Sequence, residues 1–391
     1  MTDYNKKIGI TASIGVLAIF SLPNVSFIIN SALAALTELY PDVPYSSILM
    51  LSTITSLIVI PISLIAGNLA GKKFTYKSLT VFAVFCFLVG GMLPYFINGY
   101  YLLLIARAIV GIGVGFTMPL GNAIVMKLYT GHKSASMQGL GTAVMNGAGI
   151  LFQTLSGVLC VINLKYIWIL HLIVVIPMLC IIFLLPEPVK ETDSKDADKV
   201  KLPASVYLVS IGYALCVMFF YPLFLNVSTI IIGEGLGTAA LAGIVLSMYN
   251  IGGLTAGLIF GFIYRSLKNS TIPVCLLSII IFLAIGYFGK SALSLMIAVG
   301  GCGLALFLIW PAVMSEFSET LPVNATGPAS GVFIACLNVG CFAASPYVGL
   351  LQSITGNTSP RFPIIIGFFA VGVISVIWIL SKKHKTLNNP E

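Results

Sequence analysis

Charge is what this sequence lacks most. Only 8% of its 391 residues are Asp, Glu, Lys or Arg, against roughly 25% in soluble domains, so it cannot cover itself with a solvated surface. Histidine is scarce too, and His132, His171 and His384 lie too far apart in sequence to suggest a metal site. The eight cysteines all fall in apolar runs and none forms a C-x-x-C pair. Such cysteines pack as small hydrophobes, so neither disulfides nor metal ligation is expected. A phosphate-cradling G-x-x-x-x-G-K-[ST] loop is absent, which argues against an ATP-driven pump on this chain. No acid–base pair or nucleophile constellation supports an enzyme, and no cofactor is expected.

What is present is apolar. Hydrophobic residues make up 58% of the chain, gathered in twelve runs at approximately 8–33, 46–70, 78–97, 101–127, 135–160, 164–185, 204–226, 237–264, 272–288, 291–314, 326–351 and 362–381. A helix crossing the hydrocarbon core needs about 20 mostly apolar residues, and lipid tolerates only backbones whose hydrogen bonds are internally satisfied. The runs are too long for barrel strands. They predict an all-α integral membrane protein with twelve transmembrane helices. The first run follows Lys6 and Lys7 and precedes Ala32-Leu33-Ala34, as a signal peptide would, but its apolar stretch is too long, and a retained first helix is expected.

The net charge of +8 does not point to nucleic acid, because the basic residues sort by side. With the N-terminus inside, sixteen of the 20 Lys and Arg fall at cytoplasmic ends and loops, three (Lys165, Lys290 and Arg361) in outer loops, and Arg107 within a helix. This is the positive-inside bias, and it predicts a multi-pass protein of the lipid bilayer with both termini cytoplasmic.

One loop is long and polar, PEPVKETDSKDADKVK from Pro186 to Lys201. Too polar to fold alone, it reads as a cytoplasmic linker, dividing the chain into a six-helix bundle at 1–185, a linker at 186–203 and a second bundle at 204–391. The halves resemble one another. Gly139, Asn146 and Gly157 recur as Gly331, Asn338 and Gly349, each 192 positions later, and Ala66-Gly67 and Gly71 recur as Ala256-Gly257 and Gly261, each 190 later. Duplication of this kind is a known plan for transporters that hold substrate near the midplane between halves.

Two stretches resemble the major facilitator superfamily. Gly67-Asn68-Leu69-Ala70-Gly71-Lys72-Lys73-Phe74-Thr75-Tyr76-Lys77 is similar to that family's loop signature G-x-L-a-D-r-x-G-r-[RK] in its Gly, Leu, Ala and basic positions. Arg107-Ala108-Ile109-Val110-Gly111-Ile112-Gly113-Val114-Gly115 resembles its R-x-x-x-G-x-G motif in the fourth helix. With the 6+6 plan, the resemblance covers essentially the whole chain. The signature's Asp is Gly71 here and its second Gly is Phe74, so the latch which that Asp forms between halves is expected to be weaker or built differently. The fifth run has Gly147, Gly149 and Gly157 but lacks the Gly-Pro of proton-coupled drug antiporters, which weakens the case for drug export.

Within the spans, Arg107 is the one clear ionisable residue. Burying it costs roughly 2.5–3.5 kcal/mol on insertion scales, which marks it as a functional candidate. It could bind a substrate anion through its planar fork, act in coupling, or bond backbone carbonyls where glycine-rich helices approach. No carboxylate falls at the midplane, which disfavours organic cations. Glu38 and Asp42 lie near an outer gate, where ordinary solvated acids are the simpler reading.

Uncharged polar residues therefore become cavity candidates: Asn24, Asn30, Asn146, Gln153, Tyr213, Tyr249, Asn250 and Asn338. Of these, Asn24, Asn146, Tyr249, Asn250 and Asn338, with Arg107, are the expected substrate contacts. Each buried amide must bond something, because leaving it unbonded costs on the order of 1–3 kcal/mol; interhelical hydrogen bonding is the alternative. Asn146 and Asn338, at equivalent repeat positions, are expected to face each other. Gly67, Gly71, Lys72, Lys73, Gly111, Gly115, Gly147 and Gly149 are the expected gating or conformational positions. The resemblance implies a monomeric secondary transporter in the plasma membrane that moves a small organic solute by alternating access, coupled to H+, with a slight lean to efflux. Uptake or exchange of an organic anion, and an uncoupled facilitator or channel, are the alternatives.

Overall fold

The computed structural model describes residues 9–188 and 201–388; most of the predicted linker lies outside them. Twelve helices follow in order: α1 Ile10–Leu39, α2 Tyr45–Leu69, α3 Tyr76–Phe96, α4 Tyr100–Leu128, α5 Gly131–Ile162, α6 Tyr166–Leu184, α7 Ala204–Gly233, α8 Ala239–Leu267, α9 Thr271–Phe288, α10 Ala292–Thr320, α11 Val323–Thr355 and α12 Phe362–Asn388. Eleven are long and apolar enough to cross a membrane, and the described apolar part of α12, Phe362–Trp378, is a shorter twelfth. The predicted runs thus correspond one to one with helices, most of which extend beyond the apolar stretch. No β-strand forms among the described residues.

Two helices depart from α geometry. In α1 the segment Pro23–Ala32 is 3-10, and in α6 Leu170–Val174 is. Runs of 3-10 helix beyond three or four residues are uncommon and often mark a hinge or strain. Proline at the start of the α1 segment interrupts the regular i→i−4 ladder. Side chains of three other helices take up main-chain carbonyls of this segment: Arg107 Nη2 donates to Ser26 O, Ser156 Oγ to Ile28 O at 2.5 Å and Ser228 Oγ to Ser31 O at 2.8 Å.

In the first half, α2 and α3 flank α4; in the second, α8 and α9 flank α10. Between halves, α5 packs on α8 and α2 on α11. The repeat glycines explain why these pairs approach so closely. A Cβ on Gly157 would lie 2.5 Å from Ala239 O, and one on Gly243 2.4 Å from Gln153 O. Gly349, the repeat partner of Gly157, sits likewise against Ser46 of α2, where a Cβ would meet Oγ at 2.7 Å. The duplication read from the sequence is thus expressed as two equivalent seals.

Both seals lie at the end of the molecule away from the linker. Hydrogen bonds between halves reinforce that end: Tyr45 donates to Asn226 Oδ1 at 2.7 Å and to Thr229 Oγ1 at 3.0 Å, and the Thr53 and Ser345 hydroxyls are 2.9 Å apart. Towards the linker, Gly139 and Gly147 of α5, Gly257 and Gly261 of α8, and Gly327 and Gly331 of α11 face open space. The far end is closed.

At the linker end, the Glu187 carboxylate accepts the backbone N–H groups of Tyr76 at 2.7 Å and Lys77 at 2.9 Å. An anion at a helix N-terminus satisfies otherwise orphaned donors and complements the dipole. Glu187→Ala is expected to cost about 1 kcal/mol, read as a lower thermal midpoint in detergent, with Glu187→Asp recovering part of it.

Candidate functional site: a polar and aromatic centre between the halves

The centre is built where the 3-10 segment of α1 meets α5 and α8. Asn24 Nδ2 donates to Met145 O at 2.8 Å and to Asn250 Oδ1 at 3.0 Å. Asn250 Nδ2 continues the chain to Gln153 Oε1 at 3.1 Å. Gly149 makes room: a Cβ there would lie 2.5 Å from Asn250 Oδ1 and 2.7 Å from Asn24 Nδ2. Three helices from two halves therefore share one amide network. Gln153 Nε2 and Asn146 Oδ1, both buried, retain hydrogen-bonding capacity with no protein partner.

Of the residues expected to form the site, Asn24 and Asn250 are brought together. Asn146 lies nearby, its Oδ1 2.7 Å from where a Cβ on Gly253 would sit. Asn338, on α11, has no hydrogen bond to this network among the described residues. Asn146 and Asn338 share one local arrangement: each donates to the carbonyl four residues back in its own helix, Thr142 O at 3.0 Å and Ile334 O at 2.9 Å. The repeat preserves their local geometry. Gln153 and Asn30, cavity candidates not counted among the expected substrate contacts, join the centre, and Tyr221, which the sequence did not single out, packs against Phe224 at 5.5 Å.

Arg107 is fully buried and occupies a second cluster. Nε donates to Leu51 O at 3.0 Å and Nη2 to Ser26 O, which ties α4 to α2 and α1. Two of its nitrogens thus bond main-chain carbonyls, while Nη1 has no protein partner. Beside it, Ser52 donates to Asn30 Oδ1 at 2.5 Å. No charged partner for Arg107 is found among the described residues.

The second half contributes aromatic faces. Tyr249 packs among Phe224, Phe307 and Phe220, with ring centroids 5.1, 5.4 and 6.1 Å away. Towards the linker, Phe333 stacks on Tyr213 at 4.7 Å and meets Trp310 edge-on at 5.5 Å. Phe27 of α1 meets Phe224 at 5.7 Å across the boundary between halves. The centre is thus chemically uneven: Asn24, Asn146 and Gln153 come from the first half, beside the Arg107 cluster, while the second half adds Asn250 and most of the aromatic rings.

The conformational candidates divide by place. Gly111 and Gly115 seat α4 on α2, where their Cβ atoms would lie 2.9 Å from Ile58 and 2.7 Å from Ile62. Gly71 adopts φ +74°, a left-handed turn that glycine accepts without strain, and packs on the Tyr76 ring. Gly67, with Ala70, Tyr76, Pro119 and Lys127, lines a cavity of about 370 Å³ at the linker end, and Lys72 and Lys73 are exposed beside it. Gly147 meets nothing within 4 Å.

This arrangement agrees with comparison to known proteins. A family model described as Major Facilitator Superfamily matches residues 15–345, and the chain belongs to that family. It is a multi-pass integral membrane protein of that family. Over 131 residues it is 26% identical to the Multidrug transporter protein MdtP of Bacillus subtilis (strain 168), a match covering 34% of this chain and 23% of that protein's length. A crystal structure of the nucleoside transporter NupG superposes with a TM-score of 0.74 at 14% identity, covering 95% of this chain and 99% of that one. The structural likeness establishes the fold.

Proposed function

We propose that this chain is a secondary active transporter that moves a small, uncharged organic solute with a flat apolar face. The two bundles, 1–185 and 204–391, rock about the centre described above. The observation that carries the substrate class is the composition of that centre. It offers amide groups with unused hydrogen-bonding capacity and aromatic faces, no midplane carboxylate among the described residues to recognise a cation, and beside it an arginine whose hydrogen bonds go to main-chain carbonyls. With the basic residues taken as marking the inside, the closed far end is external and this conformation faces the cytoplasm, with both termini there, in a plasma membrane. We take the protein to work as a monomer driven by an H+ gradient, with efflux favoured by the partial likeness to a multidrug transporter.

A second reading, uptake or exchange of an organic anion, is favoured by one feature: Arg107 Nη1 is a buried cationic donor without a protein partner. Thermal stabilisation by a panel of carboxylates, phosphates, nucleosides and lipophilic aromatics separates the two, because a ligand that binds only the folded state raises stability by RT ln(1 + [L]/Kd). Neutral aromatic or nucleoside hits that persist in folded Arg107→Ala are expected. Anionic hits that vanish in that variant overturn the substrate class. Reconstituted protein that equilibrates a hit without accumulating it under a pH gradient is instead an uncoupled facilitator.

A further inference from the structure

An imidazole also lies inside the spans, and neither the proposed transport cycle nor the family resemblance uses it. His171 sits in the 3-10 segment of α6 and is fully buried. Its Nδ1 is 3.1 Å from Trp168 O. A carbonyl only accepts, so Nδ1 carries the hydrogen, and in the neutral ring Nε2 is left as a lone-pair acceptor. That acceptor has no protein partner, and Nη1 of Arg107 is a buried donor with none. The two side chains interact electrostatically.

The surroundings fix the ring in place. Trp168 stacks on it, with centroids 6.3 Å apart and planes at 25°. From α3 the ring meets Gly91, where any Cβ would lie 2.0 Å from Cδ2, so a side chain there would expel the imidazole. Arg107 is the charged group acting on it. The titratable side chains of the helices packed on this segment are Tyr76, Lys77, Cys86 and Tyr95 of α3 and His132, Lys133 and Cys160 of α5; none of them acts on the ring.

We propose that His171 is a proton-binding site that positions Arg107: neutral Nε2 accepts from one buried water that Nη1 donates to, and a proton taken up there ends that bridge. The proton adds to the Nε2 lone pair and turns the acceptor into a donor, setting imidazolium against guanidinium. Arg107 in turn holds Ser26 O of the α1 3-10 segment, which also carries Asn24 bonded to Asn250 and Ser31 bonded to Ser228 of the other half. A proton at His171 therefore reaches the contacts between halves through one side chain. Its consequence for transport rests on the H+-driven reading above; the titration itself does not.

Stacked imidazolium quenches indole emission, so Trp168 serves as the reporter. In protein carrying Trp310→Phe and Trp378→Phe, emission is expected to fall through a one-proton transition as pH drops from about 8 to about 4, a window that takes in the acid side of the range in which histidine titrates. His171→Gln should abolish the transition, and Arg107→Gln should displace its midpoint, because the guanidinium acts on the ring. A flat profile with His171 present, or an unchanged transition in His171→Gln, overturns the proposal. Should that variant not fold, 15N-imidazole spectra of the unsubstituted protein decide. One of three rings must show the Nδ1–H tautomer and titrate; a buried ring with constant shifts refutes the site. If the transition appears but a pH gradient fails to drive accumulation of a solute found by stabilisation, the H+-driven reading fails while the proton site stands.

Discussion

Glu234→Ala lowers the stability of the folded protein by about 3 kcal/mol, the size expected when one partner of a largely buried ion pair is removed. Arg361 and Glu234 form a two-pronged pair, Nε to Oε1 at 2.5 Å and Nη2 to Oε2 at 2.7 Å. The remaining nitrogen, Nη1, donates to the carbonyls of Gly286, Tyr287 and Gly289 at 2.6, 3.0 and 2.7 Å, closing the C-terminal end of α9. One guanidinium thus joins the end of α7, the end of α9 and the start of α12. Only 11% of the Arg361 side chain is exposed, against 34% of Glu234. Removing the acid strands a buried cation, whereas removing the base leaves an acid that water reaches. Arg361→Ala therefore gives up mainly the carbonyl contacts, and its loss should be the smaller. Urea or thermal unfolding of both single variants and the double variant measures the coupling directly. A double variant no less stable than Arg361→Ala alone is expected, and strictly additive losses would refute the pairing.

Gly157→Ala should cut transport at least about tenfold, equivalent to about 1.4 kcal/mol, and open the far end. The new methyl would stand 2.5 Å from Ala239 O and against the backbone of Gly243. Both obstacles are main chain, so neither can yield by changing rotamer, and close-packed contacts do not absorb such overlap. α5 and α8 must separate, weakening the closed state relative to the open one. Spin labels at Asp42 and Leu236, on opposite halves near the far end, should show a longer distance in Gly157→Ala than in the unsubstituted protein. Gly139→Ala, in open space on the same helix, is the control and should change neither distance nor rate. An unaltered distance in Gly157→Ala would remove the seal from the mechanism.

Much of this molecule was legible from residue order because lipid imposes so few solutions. Length and continuity of the apolar runs specify helices, since nothing else satisfies the backbone in hydrocarbon. Repeat spacing pairs Gly157 with Gly349, and both indeed form seals. The 3-10 geometry of α1 was not legible. Apolar periodicity does not distinguish it from an ordinary helix, and it exists because Arg107, Ser156 and Ser228 supply donors from elsewhere in the fold.

The amides show the same division. Asn24, Asn146, Asn250 and Asn338 were all identifiable as polar groups that must bond something, a requirement set by desolvation and independent of position. What each bonds was decided by packing. Asn24 and Asn250 meet because Gly149 leaves space between them; Asn146 and Asn338 turn back to their own helices. The sequence contained the helices, their number, the duplication and the cost of every buried polar group. Tertiary structure alone chose the partners, because hydrogen bonds act over about 3 Å while the residues that make them lie up to 292 positions apart.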